Sequence, residues 1–180
     1  MENKLIIDHT NNWIKSVVVD LNLCPFAAKA LLKKSIRYHV AEQADIKKSL
    51  DLLIHELHVL DNDDELETAF LIFPNDFKHF DAYLTLVEKA EQLVELQGYE
   101  GIYQIASFHP FYCFEDSNEE DAANYTNRSP YPMLHLLREE SIEKALRTYK
   151  DPEGIPERNM VLTRQKGLKY MQALRAACFG

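Results

Sequence analysis

Thr68-Ala69-Phe70-Leu71-Ile72-Phe73-Pro74-Asn75-Asp76 decides how the chain is read. Six uncharged, mostly apolar residues are too short a run for an ordinary helix and suit a strand buried on both faces. Pro74 and Asn75 end the run, and Asp76 is placed to cap a helix over 77–96. Upstream, Ile36–Val40 reads as a strand and 45–60 as a helix, with Ile46, Leu50, Leu53 and Leu57 in one stripe. Downstream, Gly98 and Gly101 flank the turn into a strand over 102–108. Strand, helix, strand, helix, strand implies parallel neighbours with right-handed crossovers.

The expected fold is therefore α/β: a small, mostly parallel sheet of about three to four strands with βαβ crossovers. Extra helices sit at both ends of the chain. The alternative is an α+β, ferredoxin-like arrangement with mixed strand directions. Residues 9–22 read as a helix through Ile14, Val17, Val18 and Leu21. Pro25 opens a short helix over 26–32, with Cys24 at its cap position. Ser129-Pro130-Tyr131-Pro132 reads as the start of a helix reaching about residue 149, and 151–156 as a linker. A last helix covers 157–178. All of 1–180 is read as one domain.

Composition narrows the function classes. Of 180 residues, 46% are hydrophobic, enough for a core, and no internal repeat suggests a solenoid. The formal charge of −9 repels phosphate backbones and anionic membrane surfaces, so neither nucleic acid nor membrane is an expected partner. No run approaches the roughly 18 apolar residues of a spanning helix, and residues 1–8 show no secretory pattern. Three unclustered cysteines, Cys24, Cys113 and Cys178, do not form a disulfide framework and suggest a reducing cytosol.

Chemistry is expected between Gln104 and Glu139. His109 follows a strand at its carboxyl end, where ligand crevices of open α/β sheets lie, and shares a face with Ser107. The polar stretch 115–128 carries amides and a guanidinium, Asn124, Asn127 and Arg128, suited to holding polar ligand groups. A helix starting at Ser129 would add a positive dipole end for an anion, with Arg138 assisting. On that helix His135 and Glu139 would share a face, and with His109 could bind a divalent metal. Cys24, at a helix start, is a candidate nucleophile with His109 as its base.

Three stretches carry a resemblance. Asn22-Leu23-Cys24-Pro25-Phe26-Ala27 is the first, and Ile105-Ala106-Ser107-Phe108-His109-Pro110 the second. The third is Thr126-Asn127-Arg128-Ser129-Pro130-Tyr131-Pro132 with Leu134-His135-Leu136-Leu137-Arg138-Glu139. Together they resemble the domain-of-unknown-function 1415 family, over about 13–149 of the chain. The resemblance implies that these motifs mark the family, and it brings no activity, substrate or cofactor with it. Three functions then compete: an enzyme acting on a small anionic metabolite, a metal-dependent or metal-binding protein, and a non-catalytic binding module. The first uses His109 as acid or base, Cys24 as nucleophile, and Asn124, Asn127, Arg128 and Arg138 for the anion. The second uses His109, His135 and Glu139.

Overall fold

The computed structural model describes residues 3–147 and 149–180. Strand β2, Thr68–Ile72, is buried at every position. It pairs in parallel with β1, Ile36–Val40, and the two are joined by helix α3, Ile46–Asn62. This is the crossover the sequence implied. Asp45 caps α3, accepting a hydrogen bond from the Lys48 N–H at 2.8 Å.

The next crossover departs from expectation. Helix α4, Phe80–Leu96, returns the chain as β3, Tyr103–Phe108, one place away from β2. The gap is filled by β4, Met133–Arg138, antiparallel to both neighbours. The sheet order is β1-β2-β4-β3, and only β1 and β2 are parallel neighbours. A mixed sheet thus replaces the mostly parallel one.

The helix expected over 129–149 is overturned by the same strand. Met133-Leu134-His135-Leu136-Leu137-Arg138 shows no strand alternation because both of its faces are covered. Pro130 and Pro132 disfavour a helical backbone in the residues before them, and the stretch 129–132 is irregular where a helix was expected to open. The helix here is only α5, Glu139–Leu146, whose first-turn Glu139 and Glu140 suit its dipole.

Helices cover both faces of the sheet. Leu53, Leu57 and Leu60 of α3 and Tyr83, Leu86 and Ala90 of α4 pack on Ala69, Leu71, Leu134 and Leu136. The other face carries Phe70, Ile72 and Met133. It is covered by α1, Asn3–Trp13, and by α7, Leu168–Ala176. A smaller cluster seats Phe26 and Ala30, on and just before α2, Ala27–Lys33, against Leu137.

Several boundaries shift for identifiable reasons. The helix expected over 9–22 begins at Asn3 and continues as a π-helix over Ile14–Val19. Asp76 does not cap α4, because its carboxylate accepts the Ala44 N–H at 2.9 Å. Phe77 takes a left-handed φ of 54°, and α4 starts three residues later. The helix expected over 157–178 breaks at Gly167, φ 85°, into α6, Ile155–Lys166, and α7. Among the described residues, no helix is long and apolar enough to cross a membrane.

One buried charge ties β1 to α3. Glu56 is fully buried and receives Arg37 Nε at 2.5 Å and His39 Nδ1 at 2.8 Å. Burial pushes its carboxyl up, while hydrogen bonds from His39 and Arg37 and the Arg37 charge pull it further down, to below its ordinary 4.5. A depressed folded-state value gives stability present above the unfolded value and lost as pH falls through the folded one. Glu56→Gln is expected to lower unfolding free energy at neutral pH by about 2–4 kcal/mol. It should also flatten the fall in stability between neutral pH and acidities below the ordinary 4.5. Urea titrations at neutral and at acid pH check this, and an unchanged acid slope would count against it.

Candidate functional site

The polar groups singled out around the β3–β4 connection are largely committed to holding that connection. His109 lies directly after β3 and is fully buried. Its Nε2–H donates to the Phe77 carbonyl at 2.9 Å, and Nδ1 accepts the Phe111 N–H at 3.0 Å. Both ring nitrogens are thus engaged, Nε2 at the left-handed turn of Phe77 and Nδ1 in the turn that follows β3. Burial pushes the His109 value down, the Phe77 bond opposes this, and the charge of Arg175 lowers it further. The ring has no free nitrogen for the acid or base role expected of it.

Asn124 is fully buried. Its side chain accepts the Phe114 N–H at 3.0 Å and donates to the Asn118 carbonyl at 2.7 Å. Arg128, 8% exposed, donates to the carbonyls of Tyr112 and Glu119, each at 2.9 Å. Its guanidinium lies 4.9 Å from the centre of the Tyr125 ring. Arg138 donates to the Tyr103 hydroxyl at 2.7 Å and to the backbone carbonyls of Leu60 and Leu66. The stretch read as structureless contains a 3-10 turn, Ala122–Thr126, with four buried residues. Asp121 precedes it, fixed by Arg164 at 2.8 Å. No helix starts at Ser129, so the dipole expected to hold an anion there is absent.

The metal-binding geometry also rested on a helix. His135 is central in β4, whereas Glu139 begins α5 and lines a separate surface hollow with Glu91, Glu95 and Glu100. Among the described residues, no group of three or more His, Cys, Asp or Glu side chains is placed to hold a metal ion.

A different pair does share a space. Between the sheet and the N-terminal helices lies an apolar chamber of about 140 Å³. Its floor is Thr68, Phe70, Ala106 and His135. Its roof is Trp13 with Ile14 and Val18 of the π-helix, a geometry that frequently marks functional sites. Cys24 and Phe26 complete the wall. Val18, Cys24 and Phe108 also line an outer vestibule of about 370 Å³, with Asn127, Ile155 and Asn159. The site thus brings Cys24 together with His135 on one side and with Asn127 on the other. It leaves out His109 and Arg128.

Both titratable groups of the chamber are held neutral. Burial pushes the Cys24 thiol up, against hydrogen bonds from the Phe26 and Ala27 backbone that pull it down. Cys24 is not at the cap position expected of it, because Phe26 takes the N-cap place of α2, and burial outweighs the backbone bonds that favour its thiolate. Burial pushes His135 down to about 3. His135 retains some accessible area because it faces the chamber. Sequence reading missed Trp13 and Thr68 as site residues. Thr68, a hydroxyl opening an otherwise apolar strand, was the available signal.

A fourth hollow, a groove of about 590 Å³, gathers Lys29, Lys33, Arg138 and Lys144. Asp64, Glu67 and Glu140 lie in the same groove. Lys33 pairs with Glu67 at 3.0 Å and Lys144 with Glu140 at 2.6 Å. Much of its positive charge is therefore already matched.

The family model described as a protein of unknown function (DUF1415) matches residues 5–173, nearly the whole chain. The chain belongs to that family. Comparison with curated proteins and with solved structures finds no match.

If Arg128 is a structural clamp, Arg128→Gln should lower the unfolding free energy by about 2–4 kcal/mol, since buried carbonyls lose their donors. Limited proteolysis should then cut within 109–128. Unchanged stability and protease resistance would return Arg128 to the list of ligand-binding candidates.

Proposed function

We propose that this chain, as a member of that family, binds a small, largely apolar molecule in the chamber beneath the π-helix. The observation that carries the reading is the chamber itself: open apolar space beside a half-buried, neutral histidine. Cavities of this kind are costly. Void space leaves its lining side chains without packing partners and forfeits dispersion contacts. A larger residue at Ala106 would recover part of that. An apolar cavity of about 150 Å³ stays dry and takes up benzene, so the chamber suits a single ring or a short branched chain. The vestibule supplies an approach, and Cys24 stands between the two spaces. With thiol and imidazole both neutral, the reading is one of recognition and not of proton transfer.

Toluene is the first probe. At about ten times its Kd it should raise unfolding free energy by about 1.4 kcal/mol, or about 3–6 °C in Tm. Ala106→Leu should abolish that shift without lowering the Tm of the free protein. A toluene response that survives Ala106→Leu would place the ligand elsewhere.

A second reading keeps a small anion and moves it to the groove of Lys29, Lys33, Arg138 and Lys144. The gathering of four cations favours it, and the three carboxylates among them oppose it. Pyrophosphate titrated calorimetrically should bind and weaken at least about tenfold in Lys29→Glu, since a nearby charge reversal costs over 1 kcal/mol. No heat from pyrophosphate would remove this reading.

A further inference from the structure

The hydrogens around His135 narrow the ligand class. The Thr68 hydroxyl oxygen lies 2.5 Å from the Leu136 carbonyl oxygen and 2.7 Å from His135 Nε2. A hydroxyl has one proton, and two oxygens so close need it between them. Thr68 therefore donates to Leu136, and His135 Nε2–H donates to Thr68. In a neutral imidazole the other nitrogen, Nδ1, then carries only a lone pair.

That lone pair has no hydrogen-bond partner among the described residues. Among the described residues no enclosed side-chain nitrogen or oxygen lacks a hydrogen bond, so an unbonded Nδ1 keeps a little accessible area, and the ring that carries it lines the chamber. The ring cannot easily turn to hide it. It stacks on Phe70 with centroids 3.8 Å apart and planes 7° apart, and the Thr68 bond fixes its tilt. Of the other polar side-chain groups in the lining, the Trp13 N–H is committed to the Arg128 carbonyl at 3.1 Å and the Cys24 thiol is a weak donor.

We propose that the ligand of this chamber is a small ring carrying one hydrogen-bond donor, a hydroxyl or N–H, which His135 Nδ1 receives. The inference rests on the chamber reading and adds polarity to it. A chamber without an acceptor rejects a hydroxyl, because desolvating an unpaired hydroxyl costs about 1–3 kcal/mol. A fixed acceptor removes that penalty. Since burial keeps the imidazole neutral, the acceptor is present across the neutral range.

Phenol and toluene, nearly equal in shape, form the test. Wild-type protein should bind phenol at least as tightly as toluene, measured by calorimetry. In His135→Phe the phenol-to-toluene affinity ratio should fall about tenfold or more. In wild-type protein labelled with nitrogen-15 at histidine, Nδ1 should resonate as an unprotonated nitrogen. It should move on adding phenol but not toluene, a readout that holds even where the variant does not fold. Toluene binding with phenol excluded, or a protonated Nδ1, would overturn the inference and leave the chamber reading standing. Failure of both probes would instead overturn the chamber reading beneath it.

Discussion

Every layer of this fold depends on β4 filling the space between β2 and β3. Two strands running the same way, one place apart, leave facing rows of N–H and C=O groups that burial makes expensive to leave unpaired. An antiparallel strand satisfies both rows at once, and β4 pairs with β2 over residues 133–137 and with β3 over residues 133–138. Tyr83 locks the junction from α4. Its hydroxyl donates to the Met133 carbonyl at 2.6 Å and accepts the Phe108 N–H at 2.9 Å.

The site follows from that insertion. His135 falls in register with Phe70 on one side and Ala106 on the other, so it reaches the centre of the sheet and the chamber floor. The insertion also explains why so many polar side chains between residues 109 and 128 turn inward. The chain must leave β3, travel, and come back beside it in the opposite direction. His109, Asn124 and Arg128 supply the hydrogen bonds that give this long return one conformation.

Much of the fold was legible in residues whose local preferences agree with their surroundings. Ile36–Val40 matched its strand, and α3 carried both its stripe and its Asp45 cap. Met133–Arg138 misled because a strand covered on both faces keeps no period of two, and Leu134 with Leu137 imitates a helical stripe. The site was legible in part. Cys24 and His135 were both picked out, but as members of different sets, since a helical His135 cannot meet the sheet face above which Cys24 lies. Arg128 and His109 looked like ligand-binding chemistry because a clamp for backbone carbonyls uses the same donors as a clamp for an anion. Only the partners distinguish the two, and those come from distant parts of the chain.

The π-helix over Ile14–Val19 has one more consequence. A turn of this kind holds one residue more than an α-helical turn, and each residue advances a helix by about 100°. Which side chains face the sheet beyond Trp13 is therefore a matter of counting before it is a matter of chemistry. With one residue fewer in this stretch, Val18 and the approach to Cys24 would rotate away from the strands together, although no lining residue had been exchanged. The roof of the chamber is specified by the length of the chain as much as by its letters.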